Sequence, residues 1–233
     1  METLTQSSVA DNLRQINDQI AAAATMAGRD PEDVKLVAVS KTKPIELIKA
    51  AKDAGQLIFG ENRAQEMQAK NEQLSDVKWH MVGHMQRNKV KYLIDYVDLI
   101  HSVDSVRLLK EIDKRAEAAN RVVDVLLQVN ISDEDQKHGA GKKTLHEMLE
   151  AHQDLQNVHV HGLMGMAAFT DDEATLHRQF SHLRELLEEI KNDAHERFSP
   201  DELSMGMSGD FPIAIAEGST MVRIGSAIFG SRK

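Results

Sequence analysis

Apolar residues along the chain follow two alternating patterns, short runs rich in Val, Leu and Ile and longer stretches with helical spacing. The short runs end at Gly, Ser, Asn or Asp, which is typical of β-strands that lead into turns. Eight such runs predict strands, at residues 35–41, 57–60, 78–83, 99–103, 122–130, 158–166, 203–207 and 221–224. Because a helical stretch follows each run, the pattern indicates parallel strands joined by crossover helices.

The intervals between the strands predict helices, and one more helix precedes the first strand. Leu13, Ile16 and Ile20 recur at spacings of three and four beside an Ala run, which predicts a helix at about 9–27. Pro44 fits the first turn of the next helix, because its missing N–H group has no partner there in any case. The other predicted helices cover 63–74, 86–96, 105–119, 142–155, 171–196 and 210–217.

The eight strand-then-helix units predict an α/β fold, a single (β/α)₈ TIM barrel over residues 1–233 with an extra N-terminal helix. A barrel of this kind uses about 250 residues, so no second domain is expected. An open, doubly wound sheet usually has fewer strands and is the alternative.

Charge and cysteine content narrow the classes of function. The net charge of −9 argues against a nucleic-acid or membrane partner, although it allows one local positive pocket. The chain has no cysteine, which excludes disulfides, thiol catalysis and Cys-based metal sites. The N-terminus lacks a basic region, and the apolar run at 20–24 is too short for a signal core or a membrane span. We therefore expect a cytoplasmic protein.

Lys41 is the first candidate for chemistry, since functional residues of such barrels lie at the carboxyl ends of strands. It closes an apolar strand and shares a strand face with Val37 and Val39. If that face lines the lumen, burial lowers the lysine pKa, and a neutral amine can form a Schiff base with an aldehyde. An outward, solvated Lys41 is an equal alternative on pattern alone. Lys43 precedes Pro44 and is expected in a solvated turn.

The loops after the seventh and eighth strands form the second candidate site. Ser208 and Ser226 supply hydroxyl donors there, and glycines beside them let the backbone approach an anion. Arg223 offers a planar fork for a phosphate or for a ring nitrogen. Each loop alone could be a tight turn, but two at adjacent strand ends favour a phosphate site.

Histidine pairs predict no metal site. His80 and His84 are four residues apart but straddle a strand end instead of sharing one helix face. His159 and His161 share a face early in the sixth strand, and we expect them to be structural.

Seven sequence blocks together carry a family resemblance. They are VSKTKP at 39–44, FGEN at 59–62, HMVG at 80–83 with QRNK at 86–89, VNIS at 129–132, HGLM at 161–164, LSMGMS at 203–208 and GSTMVRIG at 218–225. In this order, over nearly the whole chain, they resemble the pyridoxal phosphate homeostasis protein family. One departure is His84-Met85, because the family usually has a variable residue and then Leu there; we expect it to alter only the rim of the pocket.

The resemblance implies a fold-type III barrel that binds pyridoxal 5′-phosphate and lacks the extra β-domain of related enzymes. It implies that Lys41 is the Schiff-base lysine. It further implies a phosphate end and a ring end of the pocket, formed respectively by Ser208, Arg223, Gly225 and Ser226 and by Asn62 and Met207.

Three functions are then weighed. The first is binding of pyridoxal phosphate for intracellular homeostasis, without turnover and with delivery to pyridoxal-phosphate-dependent apoenzymes. The second is a racemase or decarboxylase, which needs opposed proton-transfer groups; only Tyr92 and Tyr96 could be tyrosine acids, and both precede the fourth strand, away from the strand ends. The third is an aldolase that uses the lysine Schiff base without the cofactor. The family resemblance argues against it. We expect the first function, no catalytic residue and a monomer.

Overall fold

The strands form a closed barrel. The computed structural model describes residues 6–132 and 138–230. Each strand pairs in parallel with the next, and the last pairs with the first. The strands are β1 (Lys35–Val39), β2 (Ile58–Glu61), β3 (Lys78–Met81), β4 (Leu99–Val103), β5 (Val123–Val129), β6 (Val158–Gly165), β7 (Phe198–Met207) and β8 (Met221–Ile224). The predicted (β/α)₈ barrel is confirmed, and the open-sheet alternative is wrong.

Helices connect the strands and surround the barrel. They are α1 (Gln6–Met26), α2 (Ile45–Asp53), α3 (Ala64–Asn71), α4 (Val106–Ala118), α5 (Lys142–His152), α6 (Glu173–Ile190), α7 (Phe211–Ala216) and α8 (Ser226–Phe229), with short 3₁₀ helices at Pro31–Asp33, Arg87–Tyr92 and Lys191–Asp193. Over residues 6–132 and 138–230, no helix combines the length and the apolar character that crossing a membrane requires.

The helix α1 lies against the outside of the barrel, where it contacts α2, α7 and α8. Its buried stripe is Val9, Leu13, Ile16, Ile20 and Ala24, and burial of each larger aliphatic side chain contributes roughly 1.5–3 kcal/mol. Asn12 adds a polar tie, since its side-chain amide donates to the carbonyl of Ile228 at 3.0 Å. The predicted N-terminal helix is therefore part of the packed structure.

Three local predictions need correction. The predicted helix at 86–96 is a 3₁₀ helix, closed by i→i+3 bonds such as that from Leu93 N–H to the Val90 carbonyl. The strand β7 begins at Phe198 instead of 203. Phe198 is buried, but the polar residues that follow it hide this start of the strand in the sequence. The strand β1 ends at Val39, and a turn closed by Lys43 N–H and the Ser40 carbonyl follows it.

The barrel has an interior core of its own, separate from the larger core between strands and helices. Its members are Val37, Leu99, Leu126, Met164 and Met221. A Cβ at Gly60 would lie 3.0 Å from Val37 Cγ1 and 3.3 Å from Val39 Cγ2. The face of β1 that carries Val37 and Val39 therefore lines the lumen, as the first of the two alternatives for Lys41 requires.

Candidate functional site

The predicted site residues lie together at the carboxyl end of one half of the barrel. They belong to β1, β2, β7 and β8 or to the loops that follow these strands, and the four strands are neighbours in the order β7-β8-β1-β2. These residues are Lys41, Asn62, Met207, Ser208, Arg223, Gly225 and Ser226. The fold therefore places them on one continuous arc at the carboxyl end of the barrel, with Arg223 inside β8 and the others at or near the mouth.

The loops after β7 and β8 meet at two hydroxyl groups. Ser208 and Ser226 are both exposed, and their Oγ atoms lie 3.5 Å apart. Asp210 shapes the first loop, since its carboxylate accepts a hydrogen bond from Met207 N–H at 2.6 Å. Ser226 begins α8, where the first N–H groups of a helix have no acceptor in a preceding turn. Hydroxyl and N–H donors thus concentrate where an anion could bind.

Gly225 joins this region to β1 by close packing. A Cβ at Gly225 would lie 2.9 Å from the carbonyl oxygen of Val39 and 3.3 Å from Val39 Cβ. Its φ of −124° is ordinary, so space, and not backbone conformation, requires the glycine. Any side chain would push the β8 loop away from the end of β1, two residues before Lys41.

Lys41 occupies the turn that follows β1, and its side chain is half-buried. The next residue, Thr42, has a φ of 63°, a left-handed conformation that is strained for a β-branched residue. Lys43 donates from Nζ to the carbonyl of Gly230 at 2.8 Å. The Lys43 ammonium is therefore held at the end of α8.

A buried ionic network holds the residue before Lys41. Glu61 and Ser40 are fully buried, and Ser40 Oγ donates to Glu61 Oε1 at 2.7 Å. Lys70 of α3 donates to the same Oε1 at 2.6 Å and to the Ser40 carbonyl at 2.9 Å. Burial raises the pKa of Glu61, and the charge of Lys70 opposes that rise. This cluster fixes Ser40 against β2 and α3.

The same lysine also supports the residue after Lys41. Glu66 Oε1 accepts a hydrogen bond from Lys70 Nζ at 2.8 Å and another from Thr42 N–H at 2.6 Å. Burial acts to raise the pKa of Glu66, but these two hydrogen bonds together with the charges of Lys70 and Arg63 outweigh it, and the pKa is lowered. Both neighbours of Lys41 are thus held, and the strained Thr42 has a carboxylate partner. No local pattern in the sequence indicates this network.

Asn62 lies at the end of β2, where the backbone of the next strand approaches closely. A Cβ at Gly83 would lie 2.5 Å from both Cα and O of Asn62, so only glycine fits there. Ser102 donates to the Gly83 carbonyl at 2.6 Å and fixes this contact from β4. Asn62 is half-buried at the mouth, while Met207 is 39% exposed.

Arg223 lies inside the barrel, on the β6–β7 side. Its Nη1 donates to Ser204 Oγ at 2.5 Å and its Nη2 to the Gly165 carbonyl at 3.0 Å. Burial lowers its pKa to about 10, against the opposing charge of Asp210, so the guanidinium stays charged at neutral pH. Both bonds point into the lumen, whereas Ser208 and Ser226 meet at the surface.

Two buried histidines continue the chain of contacts below Arg223. His101 Nδ1 lies 2.8 Å from Ser204 Oγ, and His101 Nε2 lies 3.0 Å from His80 Nδ1. Burial lowers the pKa of both rings, that of His80 to about 3, so both are neutral at physiological pH. Each neutral ring offers one donor and one acceptor, so His80, His101 and Ser204 can form a continuous chain of hydrogen bonds, the histidine relay. Strand alternation places both rings in the lumen, but their contact was not predicted.

The rim beyond β3 and β4 has a different character. His84 stacks on His138 with ring centroids 4.2 Å apart, and its Nδ1 lies 3.4 Å from Asp104 Oδ2. A cavity of about 700 Å³ opens beside it, lined among others by Arg87 and Arg107. None of the seven predicted site residues lines this cavity. His80 points into the lumen and His84 lies on the rim, so the two do not share a site.

Comparison with known proteins gives a consistent set of relatives. Residues 12–233 match the family model described as alanine racemase, N-terminal domain. A pyridoxal phosphate homeostasis protein of Aquifex aeolicus (strain VF5) is 42% identical over 225 residues, which cover 96% of this chain and 98% of that protein. The chain thus matches this relative over nearly its full length.

Solved structures share the fold at similar identity. An unknown protein from Bifidobacterium adolescentis has a TM-score of 0.92 and 37% identity, with 98% of both chains covered. PipY from Synechococcus elongatus PCC7942, solved with PLP bound, has a TM-score of 0.80 and 37% identity, covering 91% of this chain and 100% of PipY.

Racemases are more distant. An alanine racemase from Bacillus anthracis has a TM-score of 0.75 at 17% identity, and this chain spans 56% of its length. At that identity the similarity concerns the fold alone.

Proposed function

The chain belongs to the pyridoxal phosphate homeostasis protein family, and from this premise we propose that it binds pyridoxal phosphate at the barrel mouth, holds it on Lys41 and releases it to other proteins without turning over a substrate. The observation that carries the proposal is the packing of Gly225 on Val39. This contact sets the two serine-bearing loops beside the end of β1, close in sequence to Lys41. A 37% identical relative with PLP bound supports the choice of ligand.

The residues present suit the phosphate group of this cofactor. Ser208 and Ser226 bring two exposed hydroxyls within 3.5 Å of each other beside the start of α8, and hydroxyl and backbone donors are common phosphate ligands. Gly225 leaves no side chain between the loops and β1. We assign Ser208, Gly225 and Ser226 to the phosphate end of the pocket.

Arg223 suits the other end of the cofactor better than the phosphate. Its guanidinium is anchored inside the barrel by Ser204 and by the Gly165 carbonyl. It therefore lies deeper than the hydroxyls of Ser208 and Ser226. We assign Arg223 to the ring side of the pocket, which was one of its two roles expected from the sequence, and Asn62 and Met207 to the rim around the ring.

Lys41 supplies the amine. When bound, pyridoxal phosphate offers an aldehyde that a neutral primary amine can attack. Lys41 is half-buried in the turn that follows β1. The network of Ser40, Glu61 and Lys70 holds the preceding residue, and Glu66 holds Thr42. The amine is thus presented from a fixed turn.

A carrier role without turnover is supported from two sides. The relative from Aquifex aeolicus carries the name of a homeostasis protein, and the racemase similarity concerns the fold alone. The only tyrosines, Tyr92 and Tyr96, pack against the outer core. Burial raises the pKa of Tyr96 well above its usual range. Neither tyrosine is placed to act as a proton donor in the lumen.

The remaining assignments follow from this role. Pyridoxal-phosphate-dependent apoenzymes are the proposed recipients of the cofactor, because they need the aldehyde delivered without loss to other amines. A monomeric state and a cytoplasmic location stay predictions of the sequence.

Cofactor transfer tests the proposal. The protein is loaded with pyridoxal phosphate, freed of excess ligand and mixed with an apo-form pyridoxal-phosphate-dependent enzyme, whose recovered activity is followed over time. We expect full recovery, and faster recovery than from an equal amount of cofactor attached to serum albumin lysines. A loaded protein that never restores activity, although it binds the cofactor, would contradict the carrier role.

A further inference from the structure

The amino end of the barrel carries a histidine pair that the cofactor site does not use. His159 and His161 are two residues apart in β6, so they share one face of the strand. Their neighbours Val158 and Val160 pack in the larger outer core, which turns the histidines toward the lumen side. Asp124 of β5 pairs in register with His159, and three possible metal ligands meet on two paired strands.

The distances within this cluster approach those around a metal ion. His161 Nε2 lies 3.1 Å from Asp124 Oδ1, and one ligand atom from each of the three side chains lies within 4.8 Å of the others. Zinc bonds of about 2.0–2.1 Å in a tetrahedron separate ligand atoms by about 3.3 Å. His161 and Asp124 already have that spacing, and the His159 ring needs to close by about 1.5 Å at most.

One ring nitrogen in the cluster is buried and without a hydrogen bond. His161 Nε2 is buried and makes no hydrogen bond of acceptable geometry, despite its closeness to Asp124. Ser199 Oγ lies 2.8 Å from His159 Nε2 and 3.5 Å from His161 Nδ1, which is the other nitrogen of the ring whose Nε2 lies near Asp124. A partner at the second ring nitrogen is the usual way in which metal-binding histidines are oriented.

The residue types select the class of ion. Imidazole nitrogens favour zinc, cobalt, nickel and copper, whereas magnesium and calcium favour sites made only of oxygen atoms. The cation Lys35 nearby is neutralised by its ion pair with Glu202.

The backbone around the cluster is irregular. The register between β5 and β6 shifts after Val125, and that between β6 and β7 shifts after Val160. Gly162 has a φ of 149°, and a Cβ there would lie 2.0 Å from the Glu202 carbonyl oxygen. An ion bound here would join β5 to β6 where the ladders are interrupted.

We propose that Asp124, His159 and His161 form a second site, at the opposite end of the barrel from the cofactor site, that binds a divalent transition-metal ion of the zinc and cobalt class. Water completes the coordination. The ion stabilises the interrupted junction of β5 with β6, and this role is independent of pyridoxal phosphate. A cluster of the same residue types at His84, Asp104 and His138 is less favoured, because it lies on loops and both histidines are exposed.

The test is a cobalt titration of the full-length protein after treatment with a chelator, monitored by visible absorption. Thermal unfolding is measured in parallel, with and without zinc. We expect one Co²⁺ per chain, with d–d bands that Zn²⁺ removes, and a melting temperature that rises with Zn²⁺. The variants His161→Gln and Asp124→Asn should each lose at least 10-fold in cobalt affinity and lose the zinc-dependent rise.

Matched variants at the mouth locate the site. His84→Gln and His138→Gln should bind cobalt as the unaltered protein does. The variants His161→Gln and Asp124→Asn are the floor variants, and their melting temperatures without metal show whether they fold. The conservative pair His159→Gln and His159→Asn provides a second check. The proposal is overturned if the unaltered protein shows no cobalt bands, or if the bands vanish in the mouth variants and persist in the floor variants. Pyridoxal phosphate binding should be the same in all of them.

Discussion

The Oγ atoms of Ser208 and Ser226 lie 3.5 Å apart, although 18 residues separate them in the chain. Two adjacent strand ends bring them together, since β7 pairs with β8 and each serine follows one of these strands. A single Gly-Ser turn is weak evidence for anion binding, but two turns that meet at their hydroxyls concentrate donors at one point. This contact is the structural basis for placing a phosphate between the two loops.

The proposed division of the pocket into phosphate and ring ends gives the first prediction. Ser208→Ala should weaken binding of pyridoxal phosphate by about 1 kcal/mol and leave binding of unphosphorylated pyridoxal unchanged. Arg223→Ala should weaken both ligands by roughly 1.5–3 kcal/mol, because it removes a charge on the ring side. Absorbance titrations with the two ligands measure the affinities. A loss confined to pyridoxal phosphate in Arg223→Ala would return Arg223 to the phosphate.

Removal of the buried cation beside Lys41 gives the second prediction. Lys70→Met leaves Glu61 buried without its partner, and such a change destabilises a protein by roughly 3–5 kcal/mol. The double variant Glu61→Gln with Lys70→Met should recover part of that loss, because it removes the unpaired charge as well. Urea unfolding measures both, and Lys49→Met on the exposed face of α2 is the control. Equal stability of Lys70→Met and Lys49→Met would rule out the network as a structural element.

The buried histidine relay gives a prediction about pH. Burial lowers the pKa of His80 to about 3 and that of His101 well below its usual value. The unfolded chain therefore binds more protons than the folded one between about pH 3 and pH 6.5, and the stability that is present above pH 6.5 is lost as the pH falls through this window. Each unit of pKa displacement corresponds to about 1.4 kcal/mol.

Unfolding free energies at several pH values measure that loss. His80→Gln should flatten the slope between pH 6.5 and pH 4, whereas His182→Gln, at an exposed position of α6, should not. A slope that is unchanged in His80→Gln would mean that the ring of His80 is not buried in its neutral form.

The fold and part of the site follow from local sequence patterns. The bounds of β4 and β8 agree with the predicted runs at 99–103 and 221–224, because both runs are mostly apolar and are followed at once by Asp104 or Gly225. The period of two along β1 indicated that Val37 and Val39 share the lumen face, whereas the orientation of Lys41, which lies in the turn beyond the strand, stays a prediction. The start of β7 was missed because Ser199 to Glu202 carry few apolar side chains.

Long-range contacts explain the rest. The tie between Lys70 and Ser40 spans 30 residues, and the contact of His101 with Ser204 spans 103 residues. Such pairs leave no periodic signal in the chain, since each depends on how distant strands are placed around the barrel. The sequence indicated which residues face the lumen, but not which of them touch.

Absence of turnover is the fourth prediction. The lumen lacks a tyrosine acid, since Tyr92 and Tyr96 pack in the outer core, and racemisation needs opposed proton-transfer groups. Incubation of the loaded protein with L- and D-amino acids should give no enantiomer exchange and no release of CO₂ beyond that from free cofactor. Turnover well above that level, abolished by Lys41→Ala, would favour the racemase or decarboxylase alternative.

The most direct test of the account is to reduce the protein loaded with pyridoxal phosphate with borohydride and to map the modified peptide by mass spectrometry. We predict a single modified residue, Lys41, because its turn follows a lumen-facing strand while the Lys43 ammonium is bound to the Gly230 carbonyl. The variant Lys43→Ala should be modified in the same way, and Lys41→Ala should remain unmodified. Modification at Lys43, or none in the unaltered protein, would contradict the central claim.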